Sequence, residues 1–119
     1  MNLINELVNP NSVTLTSTQL GILATIEDAP TAEVAHERIS GTLNLIIARN
    51  MLVDLNLITL SENKVALTDA GKTVSKSYNI VDETGGLTDR GQELVDQLTQ
   101  DRDEYETVTE SPFKLIYKL

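Results

Sequence analysis

The sequence has 119 residues, a formal net charge of −9 and no cysteine. This length suits one domain, and with three tyrosines and one phenylalanine as its only aromatic residues, leucine, isoleucine and valine must supply the core. The lack of cysteine excludes disulfides and thiolate chemistry, and no apolar run approaches the roughly 18 residues that would span a membrane.

Residues 1–12 are predicted to form a separate N-terminal helix or arm. Leu3 and Leu7, and likewise Ile4 and Val8, stand at i and i+4 and would share one helical face. Because an isolated helix shorter than about 12 residues is marginal in water, this segment must pack against something. It also lacks the positive charge of a signal peptide, so we expect a cytoplasmic protein.

Residues 13–81 carry the signals of a helical domain with a small hairpin. Thr16 and Gln19 match a capping box that starts a helix. The buried stripe of that helix is predicted to consist of Leu20, Leu23 and Ile26. Pro30 ends this helix, and Thr31 is predicted to cap a second helix that reaches Ile39.

A third helix is predicted over 43–55, after a turn at 40–42. Thr42 can cap this helix, and Asn56 tolerates the left-handed conformation at its end. The segments 57–60 and 65–67 favour β-strands, and the polar residues 61–64 suit a hairpin turn between them. Thr68 is then predicted to cap a fourth helix, with Asp69 favourable at its positive end.

The sequences LVDLNLI (52–58) and VALTDAG (65–71) resemble winged-helix transcriptional regulators of the MarR type. The likeness covers residues 13–76 and implies a winged helix-turn-helix that binds duplex DNA as a homodimer. It implies major-groove contacts from Thr42, Asn44, Arg49 and Asn50, and a contact from Lys64 on the wing. Asn56 stands where the family usually has glycine, and the wing carries one base, Lys64, where DNA-binding members tend to carry several.

Residues 82–119 are predicted to form a C-terminal helix and an acidic tail that ends in an apolar segment. The helix is expected over 89–100, followed by a solvated linker at 101–110 and a short strand within 111–119. The sequences LTDAGK (67–72) and LTDRGQ (87–92) match each other. The repeat reflects either two helices started by the same local chemistry or a duplicated unit. The fold class is thus mainly α with a small β-wing.

The distribution of charge opposes DNA binding. Residues 13–81 contain seven acids and five bases, whereas residues 82–119 contain ten acids and four bases. Duplex DNA binders usually present a basic surface, because phosphate contacts supply most of the sequence-independent affinity. Duplex DNA is therefore a disfavoured partner, although an oligomer could gather Arg38, Arg49 and Lys64 on one side.

The helix over 43–55 is the surface on which the functional prediction depends. At about 100° per residue, one side of it collects Leu45, Ala48, Leu52 and Leu55, which we assign to the core. Asp54 and a largely aliphatic set lie opposite. An aliphatic patch of this kind usually marks an interface. The predicted protein-interaction residues are Leu43, Ile46, Ile47, Asn50 and Val53.

Three covers for this face remain open: the N-terminal helix, the C-terminal segment, or another protein, including a second copy of the chain. A protein partner or homo-oligomer is the preferred prediction, with DNA as the alternative. No catalytic residue, cofactor or metal site is predicted, and His36, the single histidine, is assigned to the surface.

Overall fold

The computed structural model describes the backbone of residues 14–118 and the side chains of residues 14–103. Its helices are α1 Ser17–Asp28, α2 Ala32–Arg38, α3 Leu43–Asp54, α4 Asp69–Ser77 and α5 Asp89–Lys118. Strands β1 Ile58–Ser61 and β2 Lys64–Leu67 pair in one antiparallel sheet. The prediction of a mainly helical α+β fold with a small hairpin is confirmed, whereas the predicted helix within residues 1–12 lies outside the described residues.

Threonine hydroxyls cap every helix start that the sequence assigned to them. Thr16 forms a full capping box with Gln19, in which each side chain accepts from the other residue's amide. The remaining caps are Thr31, Thr42, Thr68 and Thr88, whose hydroxyls accept from the amide three residues later at 3.0–3.3 Å. These caps satisfy amides that a helix otherwise leaves without partners, so the chain fixes its helix boundaries locally.

The hairpin follows α3 directly, but its turn is shorter than the predicted 61–64, because Ser61 and Lys64 belong to the strands. Asn56 adopts φ 62°, which ends α3 in the left-handed region as expected. Ser61 pairs with Lys64, and the tight turn between them places Glu62 at φ 55°. The register aligns Ile58 with Leu67, and the first strand begins one residue later than predicted.

Helix α1 is the centre of the core. All its residues from Gln19 to Thr25 are buried, and it contacts each of the other helices and strand β2. Its closest partner is α5, which packs Val95 and Leu98 against it. Gly21 permits this approach: a Cβ there would lie 2.9 Å from Leu98 Cδ1 and 3.3 Å from the Leu94 carbonyl oxygen.

The repeated LTD sequence forms the same structure twice. After α3, Asn56 has φ 62°, and the Thr68 hydroxyl donates to its carbonyl oxygen at 2.7 Å. After α4, Asn79 has φ 60°, and the Thr88 hydroxyl donates to its carbonyl oxygen. Antiparallel β-pairing precedes each LTD helix start. It is the β1–β2 hairpin in the first copy of the repeat and a single bridge between Val81 and Leu87 in the second. The likeness therefore extends from the end of one helix to the start of the next.

A carboxylate organises the turn inside the second unit. Asp82 Oδ1 accepts from the Thr84 hydroxyl at 2.6 Å, from the Thr84 amide at 2.9 Å and from the Gly86 amide at 3.0 Å. The Thr84 hydroxyl first, and then the amides, hold the pKa of Asp82 below its usual range. The ionised carboxylate thus stabilises the short turn in the second copy of the repeat, at the place where the first copy has the longer β1–β2 hairpin.

The expected linker and strand after residue 100 are wrong, because α5 continues to Lys118. The acidic segment 101–110 contains neither glycine nor proline, so nothing in its backbone interrupts the helix. The first turns of α5 are already fixed against α1, and extending an existing helix avoids the cost of nucleation. The polar composition indicated solvent exposure, which a helix satisfies as well as a linker.

We expect alanine at Gly71 or Gly91 to destabilise the fold by roughly 1–3 kcal/mol, despite alanine's higher helix propensity. A Cβ would lie 2.0 Å from the Leu57 carbonyl oxygen at Gly71 and 2.3 Å from the Ile80 carbonyl oxygen at Gly91. Urea unfolding followed by circular dichroism measures the change. Gly86→Ala is the control, because its Cβ would meet nothing closer than 3.4 Å. Equal stability of all three variants would contradict this account of the repeat.

Candidate protein-binding surface on helix α3

One side of α3 is part of the core. Leu45, Ala48 and Leu52 are buried, as predicted. Leu55, which was assigned to the same side, is 44% exposed, and that assignment is wrong. Helix α3 ends at Asp54, and the chain turns at Asn56, so Leu57 and Ile58 fill the core in place of Leu55.

Four large aliphatic side chains of α3 and its C-terminal cap are exposed in one row, which we call the apolar stripe. Its members and their exposed fractions are Leu43 67%, Ile47 52%, Met51 49% and Leu55 44%. They stand at i, i+4, i+8 and i+12, so they form one ridge along the helix. They are the exposed large hydrophobic residues of the described part of the chain.

The predicted interaction residues divide between this ridge and its border. Leu43, Ile47 and Asn50 are exposed, in agreement with the prediction that they face outward. Ile46 and Val53 are half-buried instead, and Val53 packs against the core. The prediction missed Met51 and Leu55. The spacing of four residues from Leu43 was visible in the sequence and would have found both.

Met51 connects the stripe to the start of α1. Gln19 is 3% exposed, and its Nε2 donates to Met51 Sδ at 3.8 Å. Its Oε1 accepts from the Thr16 amide at 2.8 Å, which completes the capping box. The buried side-chain amide of Gln19 therefore contacts both the backbone at the start of α1 and Met51 in the middle of the stripe. These two contacts fix the position of the start of α1 relative to α3.

The residues that the alternative prediction assigns to DNA contact differ in their exposure and in their hydrogen bonds. Thr42 is 9% exposed, and its hydroxyl accepts from the Leu45 amide at 3.3 Å, so it caps α3. Arg49 is half-buried and donates to Asn50 Oδ1 through Nε and Nη2, each at 3.4 Å. Asn44 is exposed on α3, and Lys64 is exposed on the separate hairpin.

Several described charges near the first three helices interact with other parts of the protein. Arg38 pairs with Asp28 at 3.1 Å, which joins α2 to the end of α1. Arg102 donates from Nη1 to the Arg38 carbonyl oxygen at 3.0 Å and joins α5 to the α2–α3 turn. Burial raises the pKa of Glu27, although Lys72 and Lys76 oppose this shift. The contacts of Arg38 and Arg102 join α2 to α1 and to α5.

Two depressions near α3 differ from an enclosed small-molecule pocket. A cavity of about 40 Å³ lies where α1, α3 and α5 meet and is lined by residues including Thr42, Asn44 and Arg102. Ligand pockets usually enclose about 300–1,000 Å³. A larger depression of about 720 Å³ beside His36 and Glu37 is wide open to solvent. Within the described residues, no group of three or more acids and histidines is placed to hold a metal ion.

No protein family, curated protein or solved structure matches this chain. None of the helices in the described part of the chain is both long enough and apolar enough to cross a membrane.

Thr42→Ala should lower the free energy of unfolding by about 1 kcal/mol, because it removes the cap of α3. Thr42→Ser keeps the hydroxyl and should retain most of that stability. Asn44→Ala is the matched control at an exposed position two residues later. Urea unfolding of the three variants measures the difference. If the Thr42 and Asn44 substitutions by alanine had the same small effect, the capping role would be excluded.

Proposed function

We propose that this chain is a non-enzymatic winged-helix module that acts through protein–protein contacts, by self-association or as a component of a larger assembly. The apolar stripe on α3 is its contact surface, and the exposure of that stripe is the observation on which the proposal rests. In this proposal, α2, the turn and α3 form the helix-turn-helix, and the β1–β2 hairpin forms the wing. The order of these elements supports the resemblance to MarR-type regulators.

The free energy available from the stripe supports a contact role. Fully burying one large aliphatic side chain contributes about 1.5–3 kcal/mol. The four stripe residues are each roughly half exposed, so covering them all would contribute about 3–6 kcal/mol. A single i+4 ridge is also the shape that fits between the ridges of another helix in the commonest class of helix packing.

The polar groups on α3 favour a protein over DNA as the partner. A DNA-reading helix presents side chains that match the donors and acceptors of base edges. Here the exposed face has aliphatic residues along its length, with Asn44 and Asn50 beside them and Asp54 at its end. The Asp54 carboxylate would be repelled by phosphate, whereas a protein surface can accommodate it at the rim of the contact.

The stripe variants Ile47→Glu and Met51→Glu should weaken self-association by at least about tenfold, because each places a charge in an apolar contact. Sedimentation velocity over a range of protein concentrations measures the association. Thr73→Glu is the control, since it adds the same charge at an exposed position on α4. In the case of a foreign partner, the same variants are compared by pull-down from the source cell. A chain that stays monomeric and retains no partner would disprove the proposal.

The second candidate is a homodimeric transcriptional regulator that binds duplex DNA. Exposed Asn44 and Asn50 on α3, together with exposed Lys64 on the hairpin, favour it. Arg49 and the Thr42 hydroxyl would also contact DNA, after they release their present partners. This candidate describes a different ligand for the same helix.

A gel-shift assay at low salt distinguishes the two candidates. The protein-contact proposal expects no retained DNA, whereas the regulator expects retention that weakens steeply as salt rises. If DNA is retained, Lys64→Ala should reduce binding to all DNA sequences alike. A single exposed lysine on a hairpin contacts the phosphate backbone rather than the edge of a nucleobase. Glu62→Ala serves as the control for the hairpin turn.

A further inference from the structure

The ends of α2 and α4 carry charges that compensate the helix dipole, whereas the ends of α3 do not. Helices α2 and α4 have Glu33 and Asp69 in their first turns, and their last turns contain bases. These placements are favourable because a helix is partly positive at its N-terminus and partly negative at its C-terminus. Helix α3 has no acid in its first turn, no base in its last turn, and Asp54 as its last residue.

Helix α1 also ends in acids, but neighbouring helices compensate them. Asp28 pairs with Arg38 of α2 at 3.1 Å, and the lysines of α4 interact electrostatically with Glu27. Asp54 is exposed, and within the described residues no hydrogen bond or ion pair reaches its carboxylate. The negative end of α3 is therefore not compensated by the described part of the chain.

A second copy of α3 in antiparallel orientation supplies what each end lacks. The stripe residues are evenly spaced, so the axial midpoint of the stripe lies between Ile47 and Met51. A twofold axis through this midpoint brings the C-terminal end of one α3 beside the first turn of the other. Asp54 and Asn44 each lie five residues from the midpoint, on opposite sides of it. Each Asp54 is then level with Asn44 of the second copy, at the partly positive end of that helix.

The same charges oppose a parallel pairing of the two helices. A parallel pair would align two uncompensated C-terminal ends and set the two Asp54 carboxylates side by side. In the antiparallel pair these residues are about 15 Å apart along the helix axis, which exceeds the Debye length of about 8 Å at physiological ionic strength. Like-charge repulsion thus acts against the parallel orientation only.

The apolar stripe has the shape that a contact between two copies requires. Its residues form an i+4 ridge, and in the commonest class of helix packing the i+4 ridges of both helices interdigitate. Each copy contributes four aliphatic side chains, so the contact covers eight of them. Helix α3 and its cap expose seven residues, whereas a standard interface uses about 20–30 on each side. We therefore expect a dissociation constant on the order of 10–100 μM.

We propose that the partner at the apolar stripe is a second copy of this chain, in a twofold dimer that packs α3 antiparallel against α3. Leu43 of each copy lies beside Leu55 of the other, and Ile47 lies beside Met51. Each Asp54 lies beside the first turn of the second helix. The inference rests on the proposed function and deepens it, because it names the partner and its orientation.

Asp54→Lys tests the charge argument, because it should change folding and dimerisation in opposite directions. A lysine at this end of α3 favours the dipole of its own helix, so the monomer should unfold at an equal or higher urea concentration. In the dimer the same lysine lies beside the positive end of the second helix, so the dissociation constant should rise at least about fivefold. Sedimentation equilibrium measures this constant. Glu93→Lys, which makes the same change of charge at an exposed position on α5, should not raise it.

Cross-linking tests the orientation, and the absence of cysteine from the chain makes each introduced thiol unambiguous. Leu43→Cys and Leu55→Cys are prepared separately and treated with a bis-maleimide that is too short to span 18 Å. Identical positions at either end of the stripe are about 18 Å apart in the antiparallel dimer. The mixture of the two variants should therefore yield at least about threefold more cross-linked dimer than either variant alone. Thr73→Cys, at an exposed position on α4, measures the collisional background.

The outcomes separate this inference from the proposed function, provided that circular dichroism shows each variant to be folded. Equal cross-linking within one variant and in the mixture, or a dissociation constant unchanged by Asp54→Lys, would overturn the antiparallel dimer while self-association stands. A chain that remains monomeric up to about 1 mM would also overturn it. In that case the proposed function stands if a foreign protein binds and Ile47→Glu abolishes the binding, and it fails if no protein binds.

Discussion

The close approach of α5 to α1 at Gly21 is the constraint on which the rest of the fold depends. Because Gly21 has no side chain, Leu94 and Leu98 approach the backbone of α1 closely and cover one face of that helix. Helix α1 is then buried on the remaining sides by α2, α3 and the hairpin. A chain with so few aromatic residues obtains its core in this way, from one helix that is covered almost completely by aliphatic neighbours.

This arrangement explains why α3 has an apolar outer side. The core around α1 takes up Leu45, Ala48 and Leu52, and the described elements offer nothing that packs on the opposite face. A helix face that contacted only solvent would carry polar residues, as the exposed positions of α4 do. The proposed function assigns this stripe to a contact with a protein partner.

The features that were predictable from sequence are those decided within a few residues. Thr16 and Gln19 satisfy each other's backbone groups, so the pattern alone identifies the start of α1. The same holds for Asn56, whose tolerance of the left-handed conformation ends α3 before the hairpin. These local interactions do not depend on how the elements later pack, and for that reason the helix starts and the position of the hairpin after α3 agree with expectation.

The features that were missed depend on contacts between distant parts of the chain. Leu55 has the right helical phase for the core, but Leu57 and Ile58 occupy that space from the next element. The extent of α5 could not be judged from its acidic composition, because its first turns are held by α1. At the candidate surface, the four-residue spacing from Leu43 to Leu55 was visible in the sequence, whereas the partial burial of Ile46 and Val53 depends on how the helix packs on its neighbours.

The packing of α5 on α1 also has a consequence for how the chain is made. Gly21 and its contact Leu98 are separated by most of the described sequence, and translation adds about 5–20 residues per second. A nascent chain thus waits roughly 4–15 s after Gly21 is synthesised before Leu98 exists to cover it. During that interval the side of α1 that α5 later covers remains exposed on the nascent chain.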